Sequence, residues 1–290
     1  MSACNNKIGK AYVWFSMVLS ITISLCIFLV LLIYSWDAII EQGWLLFTIN
    51  WQPSQGQYGI LSMLYGSGVV TLIALVLAVP VGLLTALYIA EILPDQYRII
   101  IKSILELLAG IPSILYGLIG VTFVSTWLEH WLLLSSGRTI LTAGLLLAIM
   151  ILPTLITLAE DAFHNVPDQY RESAGGLGLY RYEIILRCVL PMAKPDIVSA
   201  ILLALGRALG ETMAVMLVIG SIDKIPHPIF NLLLPGQTIT SKLGREIEEA
   251  AFGSLHFSVL IFMGLLLMLT VLIITIMAHH SLSPNERRYE

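Results

Sequence analysis

Six apolar runs, each long enough to cross a hydrocarbon core of about 30 Å, leave this chain few ways to fold. They lie at about residues 13–34, 62–90, 104–127, 138–159, 197–221 and 256–279, separated by short polar stretches. In lipid every backbone N–H and C=O must find a partner within the protein, so runs of this length predict helices. The alternation expected of a transmembrane barrel is missing from the sequence. Composition agrees, since 58% of the 290 residues are hydrophobic and only 12% are charged, against roughly 25% in an average soluble domain. The expectation is an all-α, polytopic membrane protein with six transmembrane helices. The first run follows Lys7 and Lys10, as in a signal peptide. It is too long for one, and no small-x-small cleavage site follows, so it reads as a retained span.

Six spans put both termini on one side. With the N-terminus in the cytoplasm, the inside segments collect Lys7, Lys10, Arg98, Lys102, Arg171, Arg181, Arg187, Lys194, Arg287 and Arg288, and the outside loops hold Arg138, Lys224, Lys242 and Arg245. That bias follows the positive-inside rule. A net charge of −4 without blocks of like charge argues against a nucleic-acid partner. Cys26 falls within the first run while Cys4 and Cys188 fall in cytoplasmic segments, so no structural disulfide is expected. Trp36, Trp44, Trp51, Trp127 and Trp131 read as interfacial anchors.

Pro80, Pro112 and Pro153 sit within or at the edge of apolar runs, where they kink helices whose neighbours re-satisfy the freed carbonyls. Gly66-Ser67-Gly68, Gly206 and Gly210 are small enough for close helix packing. The polar segment at about 160–195 is patterned like structure. Pro167-Asp168 makes a good helix start, Gly175-Gly176 and Gly178 interrupt it, and a second helical stretch from Tyr180 to Leu190 ends at Pro191. Two short helices joined by a glycine bend form a knob that can dock into a groove of a partner.

Arg207 and Glu211 lie inside the fifth run. Arg207 falls about ten residues, or ~15 Å, from the cytoplasmic end of that span, where an arginine costs roughly 2.5–3.5 kcal/mol. The charges must therefore be compensated. Four residues apart on a helix, they can pair with each other or with groups on another helix. Either they form an interhelical salt bridge that fixes packing, or Arg207 contacts an oxyanion in transit through its paired donors. Glu211 would then hold the arginine between transport events or accept a proton-bearing substrate oxygen.

Spacing narrows the choice. Glu172-Ser173-Ala174, three residues, Gly178, nine residues, Cys188, one residue, Leu190-Pro191 resembles the EAA loop of binding-protein-dependent ABC importer permeases, with Ser173 and Cys188 replacing an alanine and an isoleucine. In that family the loop fits the ATP-binding subunit. Gly206 through Val215 resembles the fifth-span motif of the PstC family of phosphate ABC importer permeases, as do Gly110-Ile111-Pro112-Ser113 with Tyr116-Gly117, Tyr58-Gly59-Ile60-Leu61 with Tyr65-Gly66, and Pro235-Gly236-Gln237-Thr238-Ile239.

The resemblance implies the type I importer permease (MetI-like) architecture. Residues 1–55 would hold the N-terminal tail, first helix and start of the outer loop, 56–280 the permease domain with its coupling loop at 160–195, and 281–290 a cytoplasmic tail. It also implies a companion permease PstA, a dimer of the ATPase PstB, a periplasmic phosphate-binding protein PstS, and a place in the bacterial inner membrane. Arg207 and Glu211 would line the substrate path, and Glu172, Ser173, Ala174, Gly178, Leu190 and Pro191 would couple to the ATPase. The chain has no G-x-x-x-x-G-K-[ST], H-E-x-x-H or G-x-S-x-G, so it is expected to be a transport subunit without catalytic or metal site, with ATP and Mg held by the partner. His279-His280 reads as interfacial. The alternatives are another oxyanion, such as sulfate or molybdate, or an ion-coupled carrier gated by Arg207 and Glu211.

Overall fold

The computed structural model describes residues 2–282; the side chains of 2–9, 11 and 278–282 fall outside that description. The tail with Arg287 and Arg288 lies outside the described residues, as do the side chains of Cys4, Lys7, His279 and His280. Helix α1 (Ser2–Gln42) is followed by a short hairpin, β1 (Trp51–Gln52) and β2 (Gln57–Tyr58), and by α2 (Leu61–Glu91). Next come α3 (Asp95–Ala109), α4 (Ser113–Ile119), a π-helical stretch at Gly120–Ser125, and α5 (Thr126–Leu132). Helix α6 (Ile140–His164) leads into α7 (Asp168–Gly176), α8 (Arg181–Ile184), a second π-helical stretch at Ile185–Val189, and α9 (Leu190–Gly210). The chain closes with α10 (Met213–Val218), α11 (Ile239–Glu246) and α12 (Leu255–Leu282).

Helix α6 is the axis of the bundle. It packs along α2, α9, α3 and α10, and the shared core combines its Ile140, Leu147, Ile151 and Leu155 with small residues, Ala143 and Ala148 on α6, Ala74 and Ala78 on α2, Ala200, Ala204 and Ala208 on α9. Small side chains let backbones approach closely where lipid supplies no hydrophobic drive between helices. Pro80 and Pro153 lie inside α2 and α6, which continue through them. Helix α1 packs against α12 at the edge, with Tyr34 touching the rings of Phe252 and Phe257, and leaves its apolar surface open.

Five helices among the described residues are long and apolar enough to span by themselves, and a bent pair supplies a sixth when counted as one span. That pair turns the kink expected at Pro112 into a full bend and begins the span before 104: Asp95–Ala109 and Ser113–Leu132 meet at 86°. Pro112 has an extended ψ of 133° and lacks an N–H, so the ladder stops there. Tyr116 locks the bend by donating its hydroxyl to the Leu108 carbonyl at 2.9 Å. At Gly117 a Cβ would stand 2.9 Å from the Ala214 Cα, so the glycine is what lets α10 lie against α4.

Two further expectations change. Pro191 does not end the helix that starts at Tyr180: α8, the π stretch and α9 run on without a break from Arg181 to Gly210. The widened turn at Ile185–Val189 lies next to Pro191, where the ring would otherwise meet the Arg187 carbonyl. The fifth span is not one helix to residue 221 either. It stops at Gly210, passes through Glu211 in extended conformation, and resumes as α10.

Candidate functional site

Arg207 sits on the last turn of α9, half-buried. One guanidinium nitrogen donates to Thr154 Oγ1 on α6 at 2.5 Å and another to the carbonyl of Ala109, the last residue of α3, at 3.2 Å. One acceptor is a side-chain hydroxyl on the unbroken α6, and the other is the consequence of a break in a neighbouring helix. Thr154 follows Pro153, and Ala109 carries a carbonyl that the bend at Gly110–Pro112 leaves without a helical partner, at the negative end of the α3 dipole. Among the described residues Arg207 makes no ion pair. It opens onto a cleft of about 550 Å³ between α9 and α12, bordered also by Ser199, Gly206 and Thr275. A guanidinium has five N–H donors, so two bonds to neutral oxygens leave both charge and donors for an anion.

Glu211 is elsewhere. Its Oε1 accepts the Ala214 N–H at 3.0 Å, capping α10, and its carbonyl accepts from Thr240 Oγ1 at 2.8 Å. It lines a small separate pocket with Ser67, Thr71 and Thr238. Because the helix ends at Gly210, the four-residue spacing does not stack the two side chains, and the structure does not bring them together. Gly206 and Gly210 do not mediate close packing: nothing lies within 4 Å of a Cβ built on either.

The 160–195 segment forms a knob. Helix α7 begins after Pro167 and ends at Gly176, and Gly178, at φ 83°, turns the chain into α8. Any other residue there would be strained. Glu172 and Ser173 are exposed while Ala174 is buried beneath them. The outer surface presents Leu177, Tyr180, Tyr182 and Leu186, with the two tyrosine rings stacked at 6.1 Å. Leu190 and Pro191, also exposed, lie at the base of the knob. Arg171 fastens it: the guanidinium donates to Glu91 Oε1 at 2.8 Å, to the Phe163 carbonyl at 2.8 Å, to Asp168 and to the Val166 carbonyl. Arg181 donates to the Glu91 carbonyl. Next to it, Glu160, nearly fully buried on α6, pairs with Arg98 at 2.5 Å and Lys102 at 3.1 Å on α3.

A further buried charge at the opposite, hairpin end escaped the sequence reading. Lys242 on α11 is 4% exposed, with Asp223 Oδ2 and Glu246 Oε1 each 2.6 Å from its Nζ and the Trp51 ring below, 4.8 Å to the centroid. His256 stands 3.4 Å from Glu246. Trp51 is thus a wall of this cluster and not only an interfacial anchor. Burial beside it pushes the Tyr58 hydroxyl above its ordinary pKa. Only the Lys242–Glu246 spacing, four apart on a helix, signalled any of this in the sequence.

Comparison with known proteins matches residues 78–287 to the family described as binding-protein-dependent transport system inner membrane component. A protein of Mesorhizobium japonicum named phosphate transport system permease protein PstC is 35% identical over 274 residues, covering 88% of this chain and 83% of that protein. The protein of that name from Pasteurella multocida is 36% identical, covering 83% and 80%. Among solved structures, a bacterial ABC transporter that imports the acidic polysaccharide alginate aligns with a TM-score of 0.57 at 19% identity, over 98% of this chain and 99% of the other. The inward-facing MetNI methionine ABC transporter aligns at 0.53 and 17%, over 77% and 93%.

Proposed function

The chain belongs to the family of binding-protein-dependent transport system inner membrane components, and from that premise we propose that it is the PstC-type permease subunit of an ATP-driven phosphate importer. It lines the path for inorganic phosphate with a companion permease, PstA. ATP and Mg are held by a dimer of PstB, a periplasmic PstS delivers the anion, and both termini face the cytoplasm. The observation that carries the anion reading is Arg207, a cation on the last turn of an apolar span that faces a 550 Å³ cleft with only neutral oxygens as partners. The names of relatives at 35–36% identity support phosphate as the cargo.

Coupling follows from the continuity of one helix. The aromatic and aliphatic surface at Leu177, Tyr180, Tyr182 and Leu186 docks on the ATPase, with Glu172, Ser173, Ala174 and Gly178 shaping the turn that presents it. Leu190 and Pro191 pass the motion into α9. From Arg181 to Arg207 the chain is one helical rod, about 39 Å long at 1.5 Å per residue, so a tilt imposed at the knob is delivered at the guanidinium. Arg171 and Arg181, both bonded to Glu91, make α2 move with it. Glu211 orders the outer half of the path by capping α10 and holding Thr240.

The test is uptake of radiolabelled phosphate into proteoliposomes containing the chain with its companion permease and ATPase, supplied with binding protein outside and ATP inside. ATP-dependent uptake unmatched by sulfate or molybdate is expected. ATP-dependent uptake of another oxyanion alone would replace the cargo and keep the architecture, whereas uptake driven by an ion gradient without ATPase would overturn the proposal.

A further inference from the structure

Four polar side chains border the Arg207 cleft, and the bonds they already make set the hydrogen-bonding role each presents to it. Ser199 Oγ donates its proton to the Pro195 carbonyl at 3.0 Å, and Thr275 Oγ1 donates its own to the Val271 carbonyl at 2.8 Å. A carbonyl has no proton to give, so the hydroxyl is the donor in both bonds, and while those bonds are kept each hydroxyl presents only lone pairs to the cleft. Thr154 is the converse. Its oxygen accepts from Arg207, and its proton has no acceptor among the described residues, so it is left to donate.

We infer that Ser199 and Thr275 are specificity-determining residues that accept hydrogen bonds from the protonated oxygens of the substrate, while Arg207 and Thr154 donate to its bare oxygens. The inference rests on the phosphate reading above. At neutral pH inorganic phosphate keeps at least one P–OH, whereas sulfate has none. An anion with both kinds of oxygen satisfies a wall with both kinds of group. Sulfate would either set its lone pairs against those of Ser199 and Thr275 or make each hydroxyl give up its carbonyl bond, worth about 0.5–1.5 kcal/mol each, so the site favours the anion that carries a hydroxyl. Glu211, the acceptor suggested by sequence, is engaged in capping α10 and lines a different pocket. The two hydroxyls take that task without placing a second full charge beside the anion.

Equilibrium binding of radiolabelled inorganic phosphate to the purified transporter complex in lipid nanodiscs, with the binding protein omitted and sulfate as competitor at neutral pH, separates the possibilities. In the unsubstituted complex sulfate should compete at least about tenfold more weakly than phosphate. Combining Ser199→Ala with Thr275→Val should lower phosphate affinity about tenfold, leave sulfate within about twofold, and so erase the preference. Ser199→Thr with Thr275→Ser, which retain both acceptors, should restore it. An undiminished preference in the Ala/Val variant, alongside loss of both anions in Arg207→Gln, would overturn this inference and leave the path intact. Unchanged phosphate binding in Arg207→Gln, or no saturable binding in the unsubstituted complex, would overturn the path and this inference together.

Discussion

Two cations, Lys242 buried at the hairpin end and Arg207 half-buried at the cleft, are held in opposite ways. Lys242 has two carboxylates at 2.6 Å and an aromatic face; Arg207 has a hydroxyl and a carbonyl. The first is closed electrostatically and ties the loop after α10, helix α11 and the hairpin to one ammonium. The second is tethered in direction but not neutralised. Arg171 and the Arg98–Lys102–Glu160 group at the knob end resemble Lys242, each with at least one carboxylate partner. On the proposed reading, the cation without a counter-ion is where the anionic cargo fits, and the cations with carboxylate partners are architecture.

The largest effect should come from opening the closed pair. Lys242→Met leaves Asp223 and Glu246 facing each other without a counter-charge, which should cost about 3–5 kcal/mol of stability, toward the low end because both carboxylates keep some exposure. The thermal midpoint of the detergent-solubilised protein reads this. A midpoint equal to that of the unsubstituted chain would erase the distinction between the two cations.

Arg207→Gln is the mirror experiment. It removes two bonds to neutral oxygens and no ion pair, so stability should move by about 1 kcal/mol or less, while phosphate uptake falls at least tenfold, the loss expected when a charge-assisted contact to an anion is withdrawn. Full uptake would take Arg207 out of the path. A large drop in the thermal midpoint with normal uptake would make it another Lys242.

The sequence shows one of these cations far better than the other, for a physical reason. Arg207 is conspicuous because a charge in the middle of an apolar run is costly wherever the chain folds. Lys242 lies in a polar outer segment, and Asp223 and Trp51 are brought to it only by the way the outer segments close. The run of glycines at Gly175, Gly176 and Gly178 placed the turn, since positive φ leaves a mark on residue type. The same reading ended the helix at Pro191 because the π-helical turn that accommodates it has no residue signature. Glu211 was placed on the Arg207 face by assuming an unbroken helix. Gly210 and the cap at Ala214 break it, and both are local features that a span-length count overlooks.

Gly178→Val probes whether the knob and the cleft communicate. At φ 83° a β-branched residue is strained by about 1–2 kcal/mol, and nothing lies within 4 Å to clash, so the cost is confined to the turn. ATPase copurification and uptake should fall together while anion binding at Arg207 persists. Normal copurification with normal uptake would remove the turn from coupling.

The smallest expected effect tests whether Arg207 is aimed or merely present. Thr154→Val keeps shape and removes the hydroxyl that accepts from Nη1, leaving the Ala109 carbonyl as the remaining tether. A single hydrogen bond is worth about 0.5–1.5 kcal/mol, so uptake should drop by roughly two- to tenfold with the ATPase still coupled. Because the charge is untouched, the loss should appear in the phosphate concentration needed for half-maximal uptake if Thr154 donates to the anion, and in the maximal rate if it only orients the guanidinium. Thr154→Ser, which restores the oxygen without the methyl, should recover either parameter. If Val and Ser variants both transport like the unsubstituted chain, the guanidinium needs no aiming, and its open charge alone separates it from Lys242.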